Sequence, residues 1–92
     1  MYRVKLTPTA VRMFNNLHPT VKKQLKSVLK KLYKNPHLGK ELRDELINFR
    51  SLKIKRYRAI YQIDNRNKVA IIYAIGHRRD IYEIVTELVI EN

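Results

Sequence analysis

Apolar and charged residues alternate at the N-terminus, where Tyr2, Val4 and Leu6 are separated by Arg3 and Lys5. A period of two places one set on one side of an extended chain, so this segment is predicted as a strand with a single buried face. At Thr7 the period changes. Thr7-Pro8 offers a capping hydroxyl and a first-turn proline whose missing N–H a helix does not need, and Ala10, Phe14 and Leu17 follow at helical spacing. After His18-Pro19, a second helix is predicted over Thr20 to Lys34. Its apolar stripe is Val21, Leu25, Val28, Leu29 and Leu32, with Lys22, Lys23, Lys26, Lys30, Lys31 and Lys34 mostly around it. Asn35-Pro36 stops it, because a residue before proline is pushed out of the helical region.

Residues 37–48 read as a loop with a turn of helix around Glu41 to Leu46. Beyond them the period is again two. Leu52 and Ile54 alternate with Ser51, Lys53 and Lys55, and Tyr57, Ala59, Tyr61 and Ile63 alternate with Arg58, Ile60 and Gln62 across a tight turn near Arg56, which predicts a hairpin. Asp64-Asn65-Arg66-Asn67 is the next turn. Val69 to Ile75 is an unbroken apolar run, as in a strand covered on both faces, and is expected at the sheet centre. Gly76 ends it. Asp80 and Glu83 have capping-box spacing before a last helix with Ile81, Ile84, Val85 and Leu88 on one face. The order is β-α-α-β-β-β with a short C-terminal helix. The expected fold is α+β, two N-terminal helices packed on a four-stranded, mainly antiparallel sheet, with the opposite sheet face partly open to a ligand.

A chain of 92 residues that is 45% hydrophobic can bury one modest core, and no linker or repeat divides it, so residues 1–92 are expected to form a single domain. Cysteine is absent, which removes disulfides and thiolate chemistry, and three scattered histidines do not suggest a zinc site. No segment has the length and apolarity of a membrane span, and a soluble, cytoplasmic protein is expected.

Charge changes the picture most. The net charge is +12, and all 20 Lys and Arg lie in residues 1–79 together with only Glu41, Asp44, Glu45 and Asp64, a local balance of +16. Such a surface attracts polyanions by counterion release, which makes nucleic acid or the ribosome the leading partner class. A plain basic protein or a binder of anionic membranes is the blander alternative, and the six lysines of the second helix fit a solvated face as well as an RNA contact. The densest clusters lie later, Arg50, Lys53, Lys55, Arg56 and Arg58 around the hairpin, and His77, Arg78, Arg79 and Tyr82 after the apolar strand. If those last two strands pair antiparallel, Arg58 and Arg78 fall at one end of the sheet, where arginine forks and lysine point charges suit a phosphate.

The runs LKIKRYRAIYQI (Leu52 to Ile63) and VAIIYAIGHRRDIYE (Val69 to Glu83) resemble the signature half of the RelE/ParE toxin superfamily. The resemblance extends over nearly the whole chain in element order. Within it, RelE-like members cut messenger RNA in the ribosomal decoding site, whereas ParE-like members inhibit DNA gyrase without cutting nucleic acid. The RelE-like catalytic set is carried over here by Lys53 and Lys55, Arg58, Arg78 and Tyr82. Ser51 stands where a further lysine is expected, and Arg50 could replace it only from the other strand face.

The chemistry this implies is attack of an RNA 2′-hydroxyl on the adjacent phosphate, giving a 2′,3′-cyclic phosphate and a 5′-hydroxyl without a metal or other cofactor. A base takes the 2′-proton, an acid protonates the leaving oxygen, and cations stabilise the pentacoordinate phosphorus. Lys53 or Lys55 is the candidate base, since neighbouring cations disfavour the charged form of a lysine. Arg58 and Arg78 are assigned to the phosphate, and Tyr82 to base stacking or proton transfer. Arg50, Arg56, His77 and Arg79 are candidate RNA contacts, with His77 also a competing acid-base group, and His18 and His37 read as turn residues. The implied partners are a cognate antitoxin with an acidic or amphipathic segment, the ribosome and messenger RNA, and operator DNA when toxin and antitoxin act together. A gyrase inhibitor and a plain nucleic-acid-binding module remain the alternatives.

Overall fold

The computed structural model describes residues 1–91, with Glu91 described through its backbone alone. Its elements are β1 (Arg3–Leu6), α1 (Pro8–Asn15), α2 (Pro19–Lys30), β2 (Lys40–Glu41), β3 (Phe49–Ile54), β4 (Tyr57–Asp64), β5 (Val69–His77) and α3 (Ile81–Glu91), with short 3₁₀ turns at Lys31–Tyr33, Pro36–Leu38 and Asp44–Leu46. The helix starts follow from their caps. Thr7 Oγ1 accepts from Ala10 N at 3.1 Å, and His18 Nδ1 accepts from Thr20 N at 3.1 Å, each ahead of a first-turn proline. His18 is therefore occupied as a cap.

The sheet has five strands in the order β1-β5-β4-β3-β2, one more than the four expected. The added strand is β2, whose Lys40 and Glu41 pair with Ser51 and Arg50 of β3, and two residues are too few to show a period. β4, not β5, is central. β1 runs parallel to β5, from Arg3 opposite Val69 to Leu6 opposite Ile72, and the other pairings are antiparallel.

Two cores sandwich this sheet. Under α1 and α2 lie Ala10, Leu25, Leu29 and Leu32 against Leu52, Ile54, Ala59, Tyr61, Ala70, Ile72 and Ile75. On the opposite face Ile81 and Val85 of α3 and Leu46 pack on Phe49, Ile60 and Ala74, so the face expected to be partly open is covered over its middle. A bulge in β5 changes which of its side chains face each core. Ile60 pairs with Ala74 but Tyr61 with Ile72, which leaves Tyr73 as the extra residue and shifts the alternation of the following side chains by one. Thr7 Oγ1 donates to Tyr73 O at 3.3 Å, and Ile75 N donates to Met13 Sδ at 3.4 Å, so backbone groups around the bulge are partnered.

The buried Tyr61 ties the 36–41 segment to the sheet. Its hydroxyl donates to Pro36 O at 2.6 Å and accepts from Gly39 N at 2.8 Å, and a Cβ on Gly39 would stand 2.7 Å from the ring. Tyr61→Phe leaves both backbone groups without a partner, an expected loss of about 1–3 kcal/mol measured by thermal or urea melts. Burial raises the Tyr61 phenol above its ordinary 10.0, against smaller lowering by the Gly39 N–H and Arg50. Above that pH the unfolded chain releases the proton and the native one retains it, so stability falls as pH rises and Tyr61→Phe removes this part of the alkaline loss.

Candidate active site

The register of β3, β4 and β5 sets Lys53 opposite Arg58 and Arg58 opposite Gly76, and one step further in, Ser51 opposite Ile60 and Ile60 opposite Ala74. Residues directly opposite share a face, and Ile60 and Ala74 belong to the core under α3, so Lys53 and Arg58 lie on the α3 side. Tyr82, in the first turn of α3, reaches the same side and its Oη lies 2.9 Å from Ser51 Oγ. Gly76 allows this docking, since a Cβ there would meet Ile81 Cδ1 at 3.1 Å.

Arg78 reaches this end by a main-chain tie, its N–H donating to Arg56 O at 2.7 Å. The exit of β5 is thereby fixed to the β3–β4 turn, whose Lys55 adopts φ 53°. Arg58 Nη1 donates to the carbonyls of Lys55 at 2.9 Å and Tyr57 at 2.8 Å, which holds its guanidinium on the hairpin. Among the described residues, the one ion pair is Arg50 with Glu41, so Lys53, Lys55, Arg56, Arg58, Arg78 and Arg79 have no carboxylate partner. Cations without carboxylate partners at one end of a sheet have the chemistry to attract a phosphate.

The other predicted residues are placed differently. Arg50 is on the α1/α2 face, as strand alternation requires, where Nη1 donates to Gly39 O at 2.7 Å and His37 O at 3.1 Å and Nη2 pairs with Glu41 Oε1 at 2.9 Å. These bonds make it a brace for β2. His77 is opposite Tyr57, with ring centroids 5.7 Å apart, and across from Ile54 of the α1/α2 core. Its Nδ1 accepts from Arg79 N at 3.2 Å, so that nitrogen is engaged within the turn. Arg56 and Arg79 are exposed at the turns of the cationic end, and Lys53 and Lys55 also border a cleft of about 460 Å³ with Lys23, Gln24, Ser27, Val28 and Ile54. On α2, Lys22 and Lys26 lie 6.0 and 5.8 Å from the Phe14 ring centroid. No group of three or more potential metal-ligating side chains occurs among the described residues.

A family model described as ParE toxin of type II toxin-antitoxin system, parDE, matches residues 4–82. The chain belongs to the RelE/ParE toxin superfamily. This RelE/ParE chain is 32% identical over 87 residues to RelE4, a toxin-named protein of Methanocaldococcus jannaschii, covering 90% of this chain and 93% of that one. It is 35% identical over 86 residues to toxin RelG of Mycobacterium tuberculosis, covering 88% and 95% respectively. Among solved structures, a chain of the toxin-antitoxin complex RelBE2 from Mycobacterium tuberculosis superposes with a TM-score of 0.78 at 32% identity, over 84% of this chain and 98% of that one. No helix among the described residues of the RelE/ParE domain is long and apolar enough to cross a membrane.

Proposed function

We propose that residues 1–92 act as one RelE-like domain, the toxin of a type II toxin-antitoxin pair, which cuts messenger RNA on the ribosome and so arrests translation in the cytoplasm. The observation that carries this is the cross-strand pair Lys53 and Arg58, without a carboxylate partner among the described residues, on the same face as Tyr82 and at the end to which Arg78 is tied. Lys53 or Lys55 takes the 2′-proton as the 2′-oxygen bonds to phosphorus. Arg58 and Arg78 hold the phosphoryl oxygens while charge accumulates, and the 5′-oxygen leaves with a proton from an acid that Tyr82 either is or assists. No cofactor takes part. Arg56 and Arg79, exposed beside this row, add backbone contacts to RNA, whereas Arg50 and His77 serve mainly to hold β2 and the 77–80 turn.

An antitoxin is the second partner. RelBE2 and other similar structures are toxin-antitoxin complexes, and residues 1–40 of this chain contain ten basic residues and no Asp or Glu, a surface suited to an acidic segment. The pair is proposed to bind its operator DNA as a complex. A gyrase inhibitor on the same fold is the second reading, because the matching family model is the ParE one. Expression without a partner decides between them. The expected result is growth arrest with new 5′-hydroxyl ends inside translated messages; arrest with intact messages and altered DNA supercoiling would give the gyrase reading.

A further inference from the structure

Ser51 stands where the family resemblance leads to a lysine, and its surroundings give it a different task. It is 7% exposed, on the α3 face of β3, with Oγ 2.9 Å from Tyr82 Oη. Among the described residues this is the one hydrogen bond of the Ser51 side chain. A buried hydroxyl that leaves its proton without an acceptor loses the full desolvation cost, whereas the half-buried Tyr82 can offer its own proton to water or a ligand. Either hydroxyl can donate in this bond; with Ser51 as the donor, the Tyr82 O–H stays available to a ligand. Along β3 its oxygen is held one same-face step, about 7 Å, from the Lys53–Arg58 row.

We propose that Ser51 is the positioning residue for Tyr82, fixing the phenol so that its free O–H serves as a hydrogen-bond donor to the phosphate held by Lys53 and Arg58. This rests on the endoribonuclease reading and deepens it, since it ties the orientation of Tyr82 to a residue that does not touch RNA. It also gives the departure from lysine a consequence. A lysine at position 51 would add a cation but remove the hydroxyl that holds the phenol.

The test uses full-length protein in four forms, Ser51→Ala, Ser51→Thr, Tyr82→Phe and the Ser51→Ala/Tyr82→Phe double variant, with folding checked by melts. In the free protein carrying ¹³C-labelled tyrosine, Ser51→Ala is expected to shift the Tyr82 ring resonances and leave those of Tyr57 unchanged. On programmed ribosomes the same variant is expected to lower the single-turnover rate about tenfold at an unchanged half-saturating ribosome concentration. Ser51→Thr, which keeps the hydroxyl, restores both. The double variant is no slower than Tyr82→Phe alone, because both changes break one interaction. Unmoved Tyr82 resonances in Ser51→Ala, or losses that multiply in the double variant, would overturn the assignment. If the unaltered chain cuts no RNA, the endoribonuclease reading fails by itself, and the Tyr82 resonances still decide whether Ser51 positions the ring.

Discussion

Single-turnover cleavage on programmed ribosomes is expected to fall about 100- to 1000-fold in Arg78→Ala, with no change in melting temperature. Removing one fixed donor from a developing oxyanion costs roughly 3–4 kcal/mol of transition-state stabilisation, and a cation on a phosphorane does comparable work. Stability is spared because the tie between β5 and the hairpin uses the Arg78 main-chain N–H, which alanine keeps, while the side chain is exposed. Arg58→Ala is expected to lose a similar factor in rate but also to melt lower. Its Nη1 bonds to Lys55 O and Tyr57 O brace a turn in which Lys55 has φ 53°, a conformation that favours glycine or asparagine. Each such bond is worth about 1 kcal/mol, which the melt should register as a few degrees. Near-wild-type rates in both arginine variants would remove this end of the sheet as the site of cleavage.

The second large effect is at Lys53. Lys53→Ala is expected to lower the cleavage rate by about 100- to 10,000-fold if this lysine is the general base. Lys53→Arg then separates two roles that alanine merges. A guanidinium keeps its proton, so a base is lost as completely in the arginine variant as in the alanine variant. A phosphate contact, by contrast, survives the exchange. Lys53 is exposed and directly opposite Arg58, so neither substitution opens a cavity, and folding can be held constant in the comparison. A rate rescued by arginine would transfer the base role to Lys55, since His77 lies on the other face with Nδ1 engaged.

Most of the scaffold was legible because each element announces itself locally. Thr7-Pro8 caps α1, the alternation from Leu52 to Ile63 yields the β3–β4 hairpin, and the same alternation correctly separates Lys53 and Ser51 from Arg50. What was not legible depends on partners distant in sequence. Nothing local says that β1 pairs in parallel with β5, and Lys40–Glu41 becomes a strand only because β3 lies beside it. The run from Val69 to Ile75 conceals the bulge for a chemical reason, since residues that are apolar on both faces carry no phase to interrupt. That phase shift turns His77 away from Lys53 and leaves Gly76 beneath Ile81, so charge read along the sequence groups His77 with residues from which the folded sheet separates it. Likewise Tyr61 and Ser51 look like ordinary strand residues until the acceptors and donors they meet, 25 and 31 positions away, are in place.

The parallel pairing of β1 with β5 also bears on the order in which a growing chain can assemble. Strand β1 has no strand partner until Val69 to Ile72, far behind it in the sequence, have been made. The first helices can form and collapse early, since their contacts are local, but the sheet edge beneath α1 must wait for Val69 to Ile72. Arg78 and Tyr82 come later still, in the turn and helix that follow β5. A nascent chain therefore lacks the complete cationic row until the turn after β5 and the start of α3 have been made and have docked on the sheet.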